Sequence, residues 1–542
     1  MGAGAEASEA TSTASEKSAT GVTEENAAAD DSTTSTLGEM AVETETEVKL
    51  ECPRRWTMPR LDGIGRVATV RGPQRMTQTA TYLDTLGLDL LRNKHTLRRR
   101  TGGSDAGWHL KTPGDDSAEE SGRVEHRLAL GRSAALIPSE LIEIVAPLID
   151  GAVLLPVATL RTRRTRRELC DEAGTVLVLV EDDVVEATTY VDGERVHRWR
   201  EVEVEVVDGA GEDLAAVVDA LVAKGLMLSD SPSKLSRALA EPMAASSGKK
   251  GRTAGEVVLD YLSQQAGVLQ ASEQRLREDA PDSVHKARVA TRRLRSTLKT
   301  YRPLFERVDT DPVRDEVKWL TGALGEPRDA EVMQERIGGL LDTLEPDLVV
   351  GRADVHIRAA LEAEHERAHA HMVKALDSTR YERIMGDLVE LLLHPPFSVM
   401  AHEPASDVLP DLVAAASDKV GKQAKRAAAM PEGAERDEAV HEIRKLAKAA
   451  RYAAEAAGKA SGGSAKQIAS AYAELQEALG DHQDSVVSRD VVMRLAGDAR
   501  RAGQETFTYG VLAEREYAGA RAVEERYVPL LESARKAAKK IG

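Results

Sequence analysis

From Ala41 to Cys52 the side chains alternate with a period of two. Glu43, Glu45, Glu47 and Lys49 fall on one face, and Val42, Val48 and Leu50 on the other, the pattern of a β-strand. A second run, Arg200 to Val206, alternates the same way with Glu201, Glu203 and Glu205 on one side. Between them, from 43 to about 208, β-branched runs are broken by turn signals: Gly102-Gly103, Pro113-Gly114-Asp115, Asp171 to Gly174 and Asp192-Gly193. Leu136 to Leu148 and Asp213 to Leu228 carry helical spacing instead. After Ala254 the text changes to Ala, Leu, Glu and Arg with a helical period that runs to the C-terminus. The segments read as a multidomain α+β chain. Its first part is an antiparallel closed β-barrel with helices around a polar tunnel, and its second an all-α duplicated helical bundle. The expected divisions are a disordered acidic tail over 1–42, a strand-rich domain over 43–240, a linker over 241–253 and a helical domain over 254–540.

Two acidic ladders about 150 residues apart in the chain are costly neighbours unless cations lie between them. A hard divalent ion such as Mg²⁺ or Mn²⁺ suits carboxylate oxygens. Short strand-like runs supply the opposite charge: Arg98, Arg99, Arg100, Lys111, Arg123, Arg127, Arg161, Arg163, Arg164, Arg166 and Arg167. Arginine forks match planar oxyanions, phosphate above all. A sandwich with charged outer faces does not explain why both signs recur at strand spacing in so many segments.

The run from 43 to about 240 resembles the CYTH family, the triphosphate tunnel fold. Its opening signature E-x-E-x-K reads Glu45-x-Glu47-x-Lys49. Tyr82 to Arg100 is similar to the family's Arg-x-Arg strand, and Gly107 to Pro113 carries Lys111. Further on come Arg123, Glu125 and Arg127, then Leu160 to Leu169, the Glu181-Asp182-Asp183 run, the second ladder and Lys234 in SPSKLSRAL. The resemblance implies metal-dependent hydrolysis of a triphosphate or of a polyphosphate end. It places Glu45, Glu47, Glu203 and Glu205 on Mg²⁺ or Mn²⁺, with Glu201 and Asp182 as helpers. Lys49, Arg98, Arg100, Lys111, Arg123, Arg164 and Lys234 are expected to clamp phosphate oxygens, and Glu125 to pair with a tunnel arginine or order water.

The helical part contains a repeat. From Ser283 to Arg302 there is no acidic residue, and His285, Arg288, Arg292, Arg295, Lys299 and Arg302 step by 3, 4, 3, 4 and 3, one stripe on a helix. His441, Arg444, Lys448 and Arg451 each follow 156 residues after the first four, with Lys445 beside them. Downstream, Leu324-Gly325-x-x-Arg328-Asp329 is echoed by Leu479-Gly480-x-x-Gln483-Asp484 at an offset of 155. Like charges at this spacing repel, so each stripe needs an anion or an acidic helix over it. Both copies resemble the CHAD domain, a helical domain that binds inorganic polyphosphate. The binding set implied is His285, Lys286, Arg288, Arg292, Arg293, Arg295, Lys299, Arg328, His441, Arg444, Lys445, Lys448 and Arg451. In the second copy Glu442 intrudes, Lys448 stands for an arginine, and Gln483 for Arg328. His365, His369 and His371 suggest a metal cluster, but their spacing takes the third off the face, and a polar helix surface is the expected reading.

Bulk properties narrow the classes. The chain has 542 residues and a net charge of −17, which argues against nucleic acid as a partner. Aromatic residues are 3 %, so cores must rest on Leu, Val and Ala. Two cysteines, Cys52 and Cys170, exclude a disulfide framework and fit a reducing, cytoplasmic setting, with association to polyphosphate granules a further option. No long apolar run points to a membrane, and no Walker-type loop to a P-loop nucleotidase. The function expected is a metal-dependent inorganic triphosphatase or polyphosphate-processing hydrolase acting on tripolyphosphate or polyphosphate. The alternatives are a non-enzymatic polyphosphate-binding protein, a nucleotide or thiamine triphosphatase, and an adenylate cyclase.

Overall fold

The computed structural model describes residues 41–103, 105–114, 123–131, 136–245, 252–431, 434–524 and 527–538; side chains at 41–45, 123, 245, 434, 437, 459–462, 520–524 and 527–528 are not among those described. The first forty residues of the expected tail therefore lie outside the described part, and its last two begin a strand.

Among the described residues ten strands make one antiparallel sheet: β1 (Ala41–Glu45), β2 (Glu47–Glu51), β3 (Thr69–Asp84), β4 (Thr96–Thr101), β5 (Gly107–Pro113), β6 (Arg123–Leu128), β7 (Leu155–Cys170), β8 (Val176–Thr189), β9 (Arg195–Val206) and β10 (Met227–Leu228). Their order is β1-β6-β5-β4-β3-β7-β8-β9-β2-β10. The expected closed barrel is corrected here: the hydrogen-bonded ladder is open, with β1 and β10 at its ends. The reason lies at Thr46, which divides the first strand. Residues before it pair with β6 and those after it with β9, so no single strand bridges both neighbours along its length. The same residue forces curvature. It joins β1 to β2 directly, although the ladder sets them eight positions apart, a span of about 38 Å in a flat sheet. The sheet is rolled, and its two ends are drawn together by the chain itself.

The sheet is accompanied by the helices α1 (Asp89–Arg92), α2 (Ser139–Ile149), α3 (Gly211–Val222), α4 (Lys234–Ala238) and α5 (Ala240–Ala245). The helix expected to run to Leu228 stops at Val222. Gly225 takes φ +93°, a left-handed turn that sends Met227 and Leu228 back beside β2 as β10. Helix α5 covers the start of the stretch read as a linker.

The rest is helical: α6 (Ala254–Arg277), α7 (Ser283–Thr300), α8 (Arg307–Ala323), α9 (Gly325–Asp342), α10 (Ala353–Leu376), α11 (Thr379–Leu393), α12 (Ala405–Ala428), α13 (Ala434–Arg501), α14 (Phe507–Glu524) and α15 (Tyr527–Ala538). Helix α6 starts on a capping box, in which Thr253 Oγ1 accepts from the Glu256 N–H at 3.3 Å and Glu256 Oε2 accepts from the Thr253 N–H at 2.9 Å. The run α13 is not straight. The Arg444 guanidinium lies 3.3 Å from where a Cβ on Gly480 would stand, whereas the intervening straight helix would separate them by about 54 Å. The chain doubles back within it, so the second copy of the repeat opens on a helical hairpin, as α7 and α8 do in the first, where Arg288 near the start of α7 meets Gly325 just past the end of α8.

Among the described residues the larger of two apolar clusters in the helical region, mostly Leu, Val, Ile and Ala, also takes in Val153 and Leu155 at the entry to β7. There the sheet domain is tied to α6. The Val153 N–H donates to Ser263 O at 3.2 Å, and the Gln270 amide holds both backbone groups of Leu154 at 3.1 and 3.2 Å. Gly267 permits the contact, since a Cβ there would meet Gly151 O. Among the described residues no helix is long and apolar enough to cross a membrane.

Candidate functional site: a charged cavity and a basic helix pair

Strand alternation turns one set of charged side chains into the roll of the sheet, where they line a cavity of about 510 Å³. Glu47 and Lys49 come from β2, Arg98 and Arg100 from β4, Lys111 from β5, Arg127 from β6, Arg164 and Arg166 from β7, Glu181 from β8, and Glu203 and Glu205 from β9. Lys234 enters from α4, placed by Ser233, whose hydroxyl caps that helix by accepting from the Ser236 N–H at 3.0 Å.

The two signs are sorted by side. On the acidic side Lys234 Nζ meets Glu203 Oε2 at 2.6 Å, Glu201 Oε1 at 2.8 Å and Asp183 Oδ2 at 3.1 Å. Arg164 holds Asp183 through two bonds of 2.9 and 2.7 Å, and reaches Glu203 Oε2 at 2.9 Å and Glu181. Lys49 bridges Glu203 at 3.1 Å and Glu47. Burial alone would push the carboxyl of Glu203 up, but Lys234, Lys49 and Arg164 overcome it and hold it well below the usual range. Glu47 is also held low: burial and Glu203 push it up, and Lys49 and Lys111 outweigh them. Lys234 is held well above its ordinary value, because Glu201, Glu203 and Asp183 outweigh the cost of burial.

On the β4 to β6 part of the lining cations predominate. Arg98 reaches Glu125 at 3.3 Å and the Tyr82 hydroxyl at 3.4 Å, Arg127 Nε reaches Glu125 at 2.6 Å, and Arg100 pairs with Asp105. Burial, with Arg98 and Arg164 beside it, pushes the Arg100 guanidinium down to about 9. Cations that depress one another mark a place where added negative charge is favourable.

A second basic cluster lies where α7 faces α13. Arg288 donates to Gly325 O at 3.2 Å and to Asp329 at 2.6 Å, and Arg444 approaches Gly480 in the matching place of the second copy. The cations of the two copies face one another. Burial and then Arg288 push Arg292 down to about 10, with Arg444 adding to it. Burial and then Arg444, Arg292 and Arg288 push Lys448 down to about 7.

Comparison with known proteins agrees with this division. The CYTH domain family matches residues 43–239 and the CHAD domain family residues 260–493. An uncharacterized protein of Mycobacterium tuberculosis strain CDC 1551 is 34 % identical over 485 residues, covering 87 % of this chain and 92 % of its own length. A counterpart in strain H37Rv matches equally, at 34 % over 485 residues. The chain belongs to the CYTH-CHAD family. Among solved structures, PptA from Streptomyces chartreusis is 23 % identical with a TM-score of 0.43, covering 52 % of this chain and 99 % of that one. The CHAD domain from the plant Ricinus communis is 22 % identical with a TM-score of 0.42, covering 53 % and 92 %.

In the CYTH domain the cavity gathers Glu47, Glu203, Glu205, Lys49, Arg98, Arg100, Lys111, Arg164 and Lys234, with Glu201 and Glu125 directly behind it. The side chains of Glu45 and Arg123 lie outside those described; their backbones are register partners in β1 and β6. Asp182 is not part of the cavity. It points to the other face of β8 and is held by Arg200 through bonds of 2.8 and 2.7 Å. Its neighbours Glu181 and Asp183 face inward; the landmark run contains them, but the residue it offers as a site is Asp182, and the motifs do not single out Asp105 or His109. In the CHAD domain Arg288, Arg292, Arg444 and Lys448 share the cluster. Arg293 and Arg451 both turn to Glu455, at 3.0 and 2.7 Å, and lie over the Tyr452 ring. Arg328 pairs with Glu331 at 2.8 Å, and Lys445 with Glu442 at 3.3 Å. His285 is exposed, as are Lys286 and Lys299, Arg295 is partly exposed, and His441 is half-buried. His365 and His369 face Asp279, at 2.7 and 3.8 Å, while His371 points to Glu326.

Whether the cavity suits a divalent cation depends on its donors. Among the described residues no three acidic, histidine or cysteine side chains converge on one point. Glu47 and Glu205 are register partners, and Glu203 stands opposite Lys49, so three carboxylates share one wall of oxygen-only donors. That set fits Mg²⁺ or Mn²⁺ held by one or two carboxylates with substrate oxygens and water completing the shell. It does not fit a cage built from protein alone.

Proposed function

We propose that the CYTH domain is a metal-dependent phosphoanhydride hydrolase acting on tripolyphosphate or a polyphosphate end, and that the CHAD domain binds the polyphosphate chain. The observation that carries this is the sorting of charge by strand within one cavity, with Arg98, Arg100, Lys111 and Arg127 on β4 to β6 and Glu47, Glu203 and Glu205 on β2 and β9. Phosphate oxygens fit the cationic side. Glu47, Glu203 and Glu205, with Glu45 and Glu201, are the residues that would hold Mg²⁺ or Mn²⁺. When bound, the cation supplies charge neutralisation on the phosphates and acidifies a water.

The chain's own groups do the rest. Lys49, Lys234 and Arg164 keep Glu203 ionised and fixed in place. Arg98, Arg100 and Lys111 grip the non-bridging oxygens and stabilise the charge that spreads over them as the bond breaks. Water adds to the terminal phosphorus, the bridging P–O bond breaks, and tripolyphosphate leaves as orthophosphate and pyrophosphate. One observation favours a second reading, a tunnel that only binds. Both oxygens of Glu203 are already satisfied by Lys49, Lys234 and Arg164, so the acidic wall is electrically closed as it stands. Release of orthophosphate from tripolyphosphate, ATP and long polyphosphate by the full chain, with divalent cation and then with EDTA, separates the two. Cation-dependent release supports hydrolysis, and binding without release supports the second reading.

A further inference from the structure

One buried side chain to which the motifs gave no role touches the acidic partners of both cavity arginines of β4. His109 stands on β5 opposite Arg98 and Arg127 and is 3 % exposed. Its Nδ1 lies 3.1 Å from Glu125 Oε1, and its Nε2 lies 2.9 Å from the backbone carbonyl oxygen of Asp105. Glu125 takes Arg98 at 3.3 Å, and the Asp105 carboxylate takes Arg100. The imidazole is thus the middle of one chain of contacts, Arg100–Asp105–His109–Glu125–Arg98.

Both oxygens against the ring are acceptors, the carbonyl always and the carboxylate while ionised. A neutral imidazole has a single N–H, so one of its two short contacts sets acceptor against acceptor. Only the doubly protonated ring donates to both. The second proton is opposed where the ring now sits. Burial pushes His109 down to about 4, and Arg98 and Arg100 act in the same direction against the pull of Glu125. The charged groups around it are Arg98 and Arg100 of β4, Glu125 and Arg127 of β6, Asp105 of the β4–β5 turn, and Lys111 two residues along its own strand. An anion resting on the arginines cancels the repulsion and leaves Glu125 unopposed.

We propose that binding of a linked-phosphate anion in the cavity draws a proton from solvent onto His109, and that the imidazolium, donating to Glu125 and Asp105 together, fixes Arg98 and Arg100 around the anion. His109 acts through those acids and is a positioning residue. The proposal rests on reading the cavity as a phosphate site. It adds that occupancy of the site is coupled to one proton, which stays on the ring until the anion leaves.

The test is calorimetric titration of the full chain with tripolyphosphate at pH 6 in EDTA, repeated in buffers of different ionisation enthalpy, for wild type, His109→Phe and His109→Gln. Anion bound by the CHAD domain is common to all three and cancels in the comparison. Wild type is expected to take up about one proton more per anion than either variant, while both variants still bind. Equal uptake with binding intact overturns the role of His109 and leaves the phosphate site standing. No binding by wild type overturns the phosphate site and the proposal with it. Should His109→Phe fail to fold, His109→Gln, which retains a polar amide, gives the same comparison.

Discussion

Lys234 Nζ and Glu203 Oε2 lie 2.6 Å apart, and that pair joins the last charged motif of the CYTH domain to its second acidic ladder. Lys234 is the first residue of a capped helix and Glu203 lies mid-strand, and both are nearly buried. Removing the ammonium leaves Glu203 on Lys49 and Arg164, leaves Asp183 on Arg164, and takes from Glu201 the cation that faces it. Lys234→Ala is expected to destabilise the chain by about 3 kcal/mol and to abolish turnover. Urea denaturation and phosphate release check the two effects separately.

The carboxylates of this network set how stability depends on pH. Glu47 and Glu203 titrate lower in the folded chain than the ordinary 4.5, so folding gains from their ionised forms. That gain is present above about pH 4.5 and is lost as pH falls through the folded values. Lys49 and Lys234 titrate above the ordinary 10.5, so their contribution is full below that value and is lost only as pH rises through the folded values. The contribution of this network to the denaturation midpoint is expected to be level between those limits and to fall on the acid side. Glu203→Gln, which removes a carboxyl held well below its ordinary value, should flatten the acid limb.

Asp182 provides an internal control. It is a buried carboxylate paired with Arg200 away from the cavity, so Asp182→Asn is expected to keep cation-dependent turnover within about twofold while costing roughly 1.5–3 kcal/mol of stability. Glu203→Gln should remove turnover. Parallel kinetics on the two variants test whether the cavity face of β8 and β9 carries the chemistry.

In the CHAD domain the free Lys448 ammonium is held at about 7 by burial and by Arg444, Arg292 and Arg288. A polyphosphate chain laid against those cations restores its proton. Affinity for polyphosphate is then expected to fall about tenfold between pH 6 and pH 8, and Lys448→Ala should remove most of that slope. Arg288→Ala with Arg444→Ala is expected to weaken binding at every pH and reduce its salt dependence, while turnover of tripolyphosphate in the CYTH domain persists.

Much of this was legible in the sequence, because alternation and spacing are local. Glu201, Glu203 and Glu205 alternate with Val202, Val204 and Val206, which settles their common face. The 156-residue offset of His441 from His285 pointed to the second copy, and the clustering of Arg288, Arg292, Arg444 and Lys448 follows from it. Where both faces of a strand are buried the signal fails. Glu181, Asp182 and Asp183 follow a run of Val and Leu without polar alternation, and only the register of β8 on β9, Glu181 opposite Glu203 and Asp183 opposite Glu201, shows which two face inward. Asp105 reads as an ordinary turn residue until Arg100 is seen to close on it. His109 is a single histidine on a strand, and its meaning comes from Glu125 on the next strand and Asp105 in the turn before it. Closure of the sheet is decided at Thr46 by pairing on either side, which no periodicity encodes.

The central claim is that the charged cavity hydrolyses a phosphoanhydride with a divalent cation held on its acidic wall. The most direct measurement is orthophosphate release from tripolyphosphate by wild type and Glu203→Gln side by side, with Mg²⁺ or Mn²⁺ and with EDTA. Release by wild type that needs the cation and disappears in Glu203→Gln is the expected result. Equal release by both proteins, or none by wild type despite tight binding of tripolyphosphate, would contradict it.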